Sequence, residues 1–287
     1  MRETSNPVFR SLPKQRGGYA QFGTGPAQMQ AYQANPYAPY QEATASRPMT
    51  IDDVVTKTGI TLAVLTVVGA VSFFMVASNH ALALPFLAIG GLGAFVLVMI
   101  AIFARKQDNP AIVLSYAVLE GLALGAFSFV LTFPVRVGGQ ATSAGMMIGQ
   151  AIAGTLGVMF GMLVVYKTGA IRVTPRFTRM VIAAGFGVVV LVFVNALLAI
   201  FGVNGGAGLG IRGGPHDAGI PWLAVLFSLV AICVGAFFFL LDFDEADQLI
   251  RAGAPEKAAW SVALGLTLTL VWVYTEILRL ITYFQSD

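Results

Sequence analysis

Residues Pro221–Asp247 read PWLAVLFSLVAICVGAFFFLLDFDEAD. No charged side chain appears from Pro221 to Leu241, and then four acids fall within six positions: Asp242, Asp244, Glu245 and Asp247. At 1.5 Å per residue the uncharged run is about 30 Å long as a helix, which matches the hydrocarbon thickness of a bilayer. A membrane strand would be short and alternating, whereas this run is continuous, so it predicts a spanning helix. The acids then pose a question of depth. Asp242 follows Leu240 and Leu241 directly and is expected to border the lipid, with Asp244, Glu245 and Asp247 solvated beyond it.

Six further stretches have the same character. With the first they give Thr58–Ala77, Ala81–Ala104, Ala111–Phe133, Ser143–Tyr166, Met180–Phe201, Pro221–Leu241 and Ala259–Phe284. The 287 residues are 57% hydrophobic and only 11% charged, where a soluble domain carries about 25% charged residues. An all-α integral membrane protein follows, a seven-transmembrane-helix bundle over residues 50–287. Residues 1–49, rich in Gly, Pro, Gln and Tyr and without a period, read as a disordered cytoplasmic tail. Thr50 and Asp53 carry a helix-start signal, so a short helix is expected to lead into the first span.

Lys and Arg set the orientation. Of the 17, all but Arg136, Arg212 and Arg279 fall in the tail, at the start of the first span, or around the loops after the second, fourth and sixth spans. That bias predicts a cytoplasmic N-terminus and an outside C-terminus in the cell membrane. The fourth span carries a small residue at every fourth position, Gly145, Gly149, Ala153, Gly157 and Gly161, a flat stripe suited to close helix packing, by default within the chain.

Ionisable groups at bilayer depth cost about 2.5–3.5 kcal/mol or more each, so they mark sites by default. Glu120 lies about 14 Å into the third span with no basic residue within a turn or two, and Gly121 and Gly125 beside it permit close packing. It is either a neutral hydrogen-bonded acid or a proton or cation site. Glu276 has Arg279 one turn away, and the pair can neutralise itself while Arg279 reaches for the surface. Asp242, if turned inward, needs a cation or a proton, and Arg105 at the end of the second span is the candidate partner. Asn195 and Thr269 add neutral oxygens near middle depth, although Thr267 and Thr269 can also bond back to their own helix.

Several enzyme classes lack their parts. The two histidines, His80 and His216, fall in outer loops, so neither an HExxH zinc site nor a haem held between helices is expected. Ala259–Phe284 contains no lysine for a retinal Schiff base, and no Gly-x-Ser-x-Gly elbow occurs. The glycine-rich loop after the fifth span lacks the Gly-Lys-Ser/Thr ending of a phosphate loop. Cys233 is the only cysteine, which excludes a disulfide within the chain. No enzyme activity and no cofactor are expected.

The seven spans, FLLDFDEADQLI (Phe239–Ile250) and LTLVWVYTEILRLI (Leu268–Ile281) resemble the Bax-inhibitor-motif membrane proteins. SNPVF, MTIDDVVTKTG and YAVLEGLALGAFS resemble a bacterial, actinobacterial branch. The resemblance covers residues 50–287 and implies a seven-helix bundle with the last helix near the centre. It also implies a pH-sensitive calcium leak channel gated by two aspartates near an arginine. Asp242 matches the first aspartate, Arg105 matches the arginine, and Thr269 stands where the second aspartate is expected. Two close carboxylates share a proton and titrate as a pair, which a threonine cannot do. Glu120, at the depth of Thr269, is the expected replacement, and Asp242 with Glu120 would make a weak calcium site helped by Asn195 and Thr269. The implied partners are the bilayer, cations and protons, with no nucleic acid. A non-conducting regulator that binds other membrane proteins or proteases is the alternative. A proton-coupled transporter would need an inverted repeat, which seven spans do not readily form.

Overall fold

The computed structural model describes residues 47–133, 136–137, 140–141, 143–213 and 221–285. The expected tail up to residue 46 and His216 lie outside the described residues. Among the described residues seven helices are long and apolar enough to cross a membrane. They are α1 (Ile51–Ser78), α2 (Ala83–Phe103), α3 (Pro110–Thr132), α4 (Ala144–Thr168), α5 (Pro175–Ile200), α6 (Trp222–Arg251) and α7 (Ala259–Gln285). Two antiparallel two-residue strands, β1 (Arg136–Val137) and β2 (Gln140–Ala141), lie between α3 and α4. The protein is an all-α seven-helix membrane bundle.

Local chemistry sets the helix ends. Thr50 and Asp53 form a reciprocal capping box, so the expected leading helix and first span are one continuous helix. Pro110 and Pro175 occupy first turns behind Asn109 and Thr174 caps, where a missing N–H costs nothing. Gly169 ends α4 at φ 68°, in the left-handed region that glycine enters without strain. The largest departure from expectation is α6, which runs ten residues past Leu241. The acid cluster therefore occupies the last turns of a helix and is not a loop.

Helix α7 is the hub, packing against α1, α3, α4 and α6. Of its most apolar window 56% is buried, against 11% for α4. Around it α3 lies between α1 and α2 at backbone contact distance. A Cβ on Gly121 would sit 2.6 Å from the Leu65 carbonyl oxygen, and one on Gly90 would sit 2.6 Å from the Ala123 nitrogen. Ser72 Oγ donates to the Leu122 carbonyl at 2.6 Å, fixing the α1–α3 register. Helix α2 packs chiefly on α3, and α5 chiefly on α6.

Residues 47–49, just before α1, are tied down. Met49 is 2% exposed, and its N–H donates to the Ala254 carbonyl at 2.7 Å. Arg47 grips Asp53 at 2.6 Å and lies 3.3 Å from Glu256, which Lys57 also meets at 3.2 Å. Lys257 pairs with Asp108 at 2.8 Å. These contacts gather the start of α1, the α2–α3 loop and the α6–α7 loop on one face of the bundle, its basic face.

The stripe on α4 overturns the expectation of packing within the chain. Gly145, Gly149, Ala153, Gly157 and Gly161 are exposed, and a Cβ at Gly149, Gly157 or Gly161 would meet nothing within 4 Å. The face of α4 turned inward carries Met147, Ala151 and Thr155 instead, with Gly154 seated on Ile277.

Candidate functional site

Helix α2 leans on α3 and leaves a gap toward α6 and α7. The gap is a cavity of about 610 Å³. Phe95 and Val98 of α2, Phe238 of α6 and Trp272 of α7 supply apolar walls. Tyr116 and Glu120 of α3, Asp242 of α6 and Thr269 of α7 supply polar groups, and no Lys, Arg or His lines it. Glu120 is ten residues beyond Pro110, hence about 15 Å along α3 from the basic face.

Asp242 is half-buried and accepts a hydrogen bond from Thr269 Oγ1 at 2.7 Å. Gly265, one turn before Thr269 on α7, makes room for it: a Cβ there would come within 3.3 Å of Asp242 Oδ1. Thr267, by contrast, bonds back to the Ala263 carbonyl at 2.7 Å, so the two threonines of α7 divide between the alternatives the sequence leaves open. Glu120 makes no hydrogen bond or ion pair with any described residue. Glu120, Asp242 and Thr269 thus line one cavity from three helices, with no direct bond between the two acids.

Three expectations are corrected. Arg105 does not reach Asp242. It is exposed beyond the end of α2, at φ 53°, and pairs with none of the described residues. Its place in the turn after α2 leaves the Asp242 carboxylate of α6 bonded to Thr269 instead.

Asn195 is not at the cavity either. Its Oδ1 accepts from the Leu209 N–H at 2.8 Å, anchoring the glycine-rich loop that follows α5. The approach is so close that a Cβ on Gly208 would lie 3.0 Å from that same oxygen.

Glu276 pairs with Arg212, not with Arg279. Arg212 Nη1 donates to both carboxylate oxygens at 2.6 and 2.9 Å, and Ser228 Oγ donates at 3.1 Å. Arg279 stays half-buried over the Phe127 ring at 5.2 Å and does not reach for the surface.

The remaining acids of α6 are partly engaged. Asp244 and Asp247 accept from the Tyr166 hydroxyl at 3.4 and 3.2 Å, and Asp247 pairs with Arg251 at 2.8 Å. Glu245 is exposed. Among the described residues no group of three or more His, Cys, Asp and Glu side chains is placed to hold a metal ion. A cation at the cavity would find two carboxyls and the hydroxyls of Thr269 and Tyr116, short of the six to eight oxygens calcium prefers unless water completes the shell.

Sequence reasoning missed Tyr116, Trp272 and Arg212. Tyr116 stands one turn before Glu120, so helical spacing alone carries the signal for it. Arg212 sits among glycines in a loop whose path no periodicity reveals.

No curated protein matches the chain. The family model described as Bax inhibitor 1 like matches residues 6–286, nearly the whole length, and the chain belongs to that family.

Proposed function

We propose that the protein is a cation leak pathway of the cell membrane, with Glu120 and Asp242 as the acidic groups on which permeant calcium and protons compete. The observation that carries this reading is the cavity itself: two carboxyls from different helices, without a basic partner, at membrane depth. An acid so placed needs a mobile positive charge to balance it, because burying an uncompensated carboxylate is costly. The basic face is cytoplasmic on this reading, following the excess of Lys and Arg there. Calcium is cargo, and no enzymatic step or cofactor is involved.

The Asp242–Arg105 lock implied by the resemblance has no counterpart in this conformation, so the gate proposed is the Asp242–Thr269 contact. Movement of α6 along α7 would break it; the two helices pack closely at Gly235, where a Cβ would lie 2.6 Å from Val273 Cγ2. Protons and calcium seek the same oxygens, so leak falls as pH is lowered.

Purified protein in liposomes loaded with a calcium dye tests the reading. Asp242→Asn is expected to lower the initial flux about tenfold or more, the loss that follows from removing a charged ligand. Glu120→Gln is expected to shift the pH profile of the remaining flux. A profile identical to wild type would remove Glu120 from the path.

The outward stripe on α4 favours one second reading, a non-conducting regulator that docks another membrane helix there. Absence of dye signal from wild-type protein at every pH would favour it. Gly149→Leu with Gly157→Leu would then abolish docking while leaving the thermal midpoint unchanged, since neither side chain meets the rest of the chain.

A further inference from the structure

The cavity is built on the wrong scale for a bare ion. A volume of about 610 Å³ is that of a drug-sized ligand site, and such sites combine apolar walls with a few convergent polar groups. Here the walls are aromatic and aliphatic, and Phe238 and Trp272 face each other with ring centroids 5.7 Å apart. The opening is lateral. Phe95 on one side is 61% exposed, Leu268 on another is 36% exposed, and a Cβ at Gly91 would meet nothing within 4 Å. On α2, Gly91, Phe95 and Val98 recur at helical spacing, so one face of that helix borders the gap. The cleft is therefore entered from the acyl chains of the bilayer and ends at two acids.

From this we propose that the cleft binds an amphiphilic organic cation, a protonated amine on a hydrocarbon body, with the ammonium between Glu120 and Asp242 and the body along Phe95, Phe238 and Trp272. Charge complementarity selects this occupant. The polar side chains that line it are two carboxyls and the hydroxyls of Tyr116, Thr269 and Thr275, with no cationic side chain to receive a phosphate or carboxylate headgroup. Among the described residues Glu120 has no hydrogen-bond or ion-pair partner, and Asp242 has one hydrogen bond, from Thr269. An ammonium donates to both carboxyls and lies against aromatic faces, which attract a cation through the ring quadrupole. A neutral lipid tail fills the walls and leaves the acids unanswered. The inference rests on the same two acids as the proposed leak, and it makes the amine a blocker that competes with the permeant ion.

Binding can be read without any ion gradient, so its outcome is independent of whether the protein conducts. A Trp222→Phe, Trp260→Phe variant in nanodiscs keeps Trp272 as the only tryptophan. Its fluorescence is titrated with a bromine-tipped dodecylamine and, in parallel, with the matching bromine-tipped dodecanol. Saturable quenching by the amine, at least about tenfold tighter than by the alcohol, is the expected result. Asp242→Asn with Glu120→Gln is expected to bring the amine to the level of the alcohol. Gly91→Leu keeps both acids, has open space for its side chain, and is expected to weaken amine quenching by filling the mouth. Equal quenching by amine and alcohol would show a slot for acyl chains and overturn the proposal. Undiminished amine quenching in a folded Gly91→Leu protein would overturn it as well.

Discussion

Gly125→Ala is expected to lower the thermal midpoint of the protein sharply. A Cβ at this position would overlap the Gly69 carbonyl oxygen, and it would lie 2.7 Å from Ser72 Cβ and 2.9 Å from the Phe73 nitrogen. Two of these three obstacles are backbone atoms of a helix, so no flexible side chain can swing away. The helices must separate, and separation strains the 2.6 Å hydrogen bond from Ser72 Oγ to the Leu122 carbonyl. It also loosens the next turn, where Gly121 approaches Leu65 in the same manner. Overpacking typically costs about 1–3 kcal/mol and more where backbone blocks relief, a large part of a stability of about 5–15 kcal/mol. The effect reaches the cavity because α3 carries Tyr116 and Glu120 on the side away from this contact. Size-exclusion profile and thermal midpoint in detergent measure the loss. Gly157→Ala, where a Cβ meets nothing within 4 Å, is the matched control and should behave as wild type. A Gly125→Ala protein with the wild-type midpoint would mean that α1 and α3 do not lie this close.

These two glycines also show where sequence reading stops. Small residues four apart mark a flat helix face, and both α3 and α4 display one. Spacing does not say whether the face turns toward the bundle. The face on α3 proves to be the tightest contact of the fold, and the one on α4 faces away from it. The spans themselves were legible because twenty apolar residues in a row have one economical solution in a bilayer. Their ends were less so. Helix α6 continues to Arg251, where Tyr166 of α4 meets Asp244 and Asp247, a tertiary contact that hydropathy does not register.

The candidate site divides in the same way. Depth counting placed Glu120 and Thr269 at one level, and both line the cavity with Asp242. Depth is a helical property, proportional to residue number, and survives folding. Partner choice is not. Asn195, a neutral oxygen near the middle depth of its span, is expected to help hold a cation, yet a loop fourteen residues later claims its oxygen. Arg105 was assigned to Asp242 because both close helices on the same face, yet the turn leaving α2 carries it outward.

The second large effect is expected at the face opposite the basic one, where Arg212 is the partner that sequence spacing failed to find for Glu276. The two side chains are 16% and 5% exposed, and both carboxylate oxygens are engaged. Arg212→Met leaves Glu276 buried with only Ser228 as a donor. Removing one member of such a pair costs about 3–5 kcal/mol, most of it the penalty of stranding the other charge. The double variant Arg212→Met, Glu276→Gln strands nothing, since a glutamine oxygen still accepts from Ser228 and the methionine still packs on Phe227, over which Arg212 now lies at 5.0 Å. Its thermal midpoint is therefore expected to fall between wild type and the Arg212→Met single variant, nearer to wild type. Arg279 lies over Phe127 and forms no ion pair with Glu276 in this structure. Differential scanning of the four proteins closes the cycle. Single losses that simply add in the double variant would show that Arg212 and Glu276 contribute separately and that the pair does not tie the loop after α5 to α7.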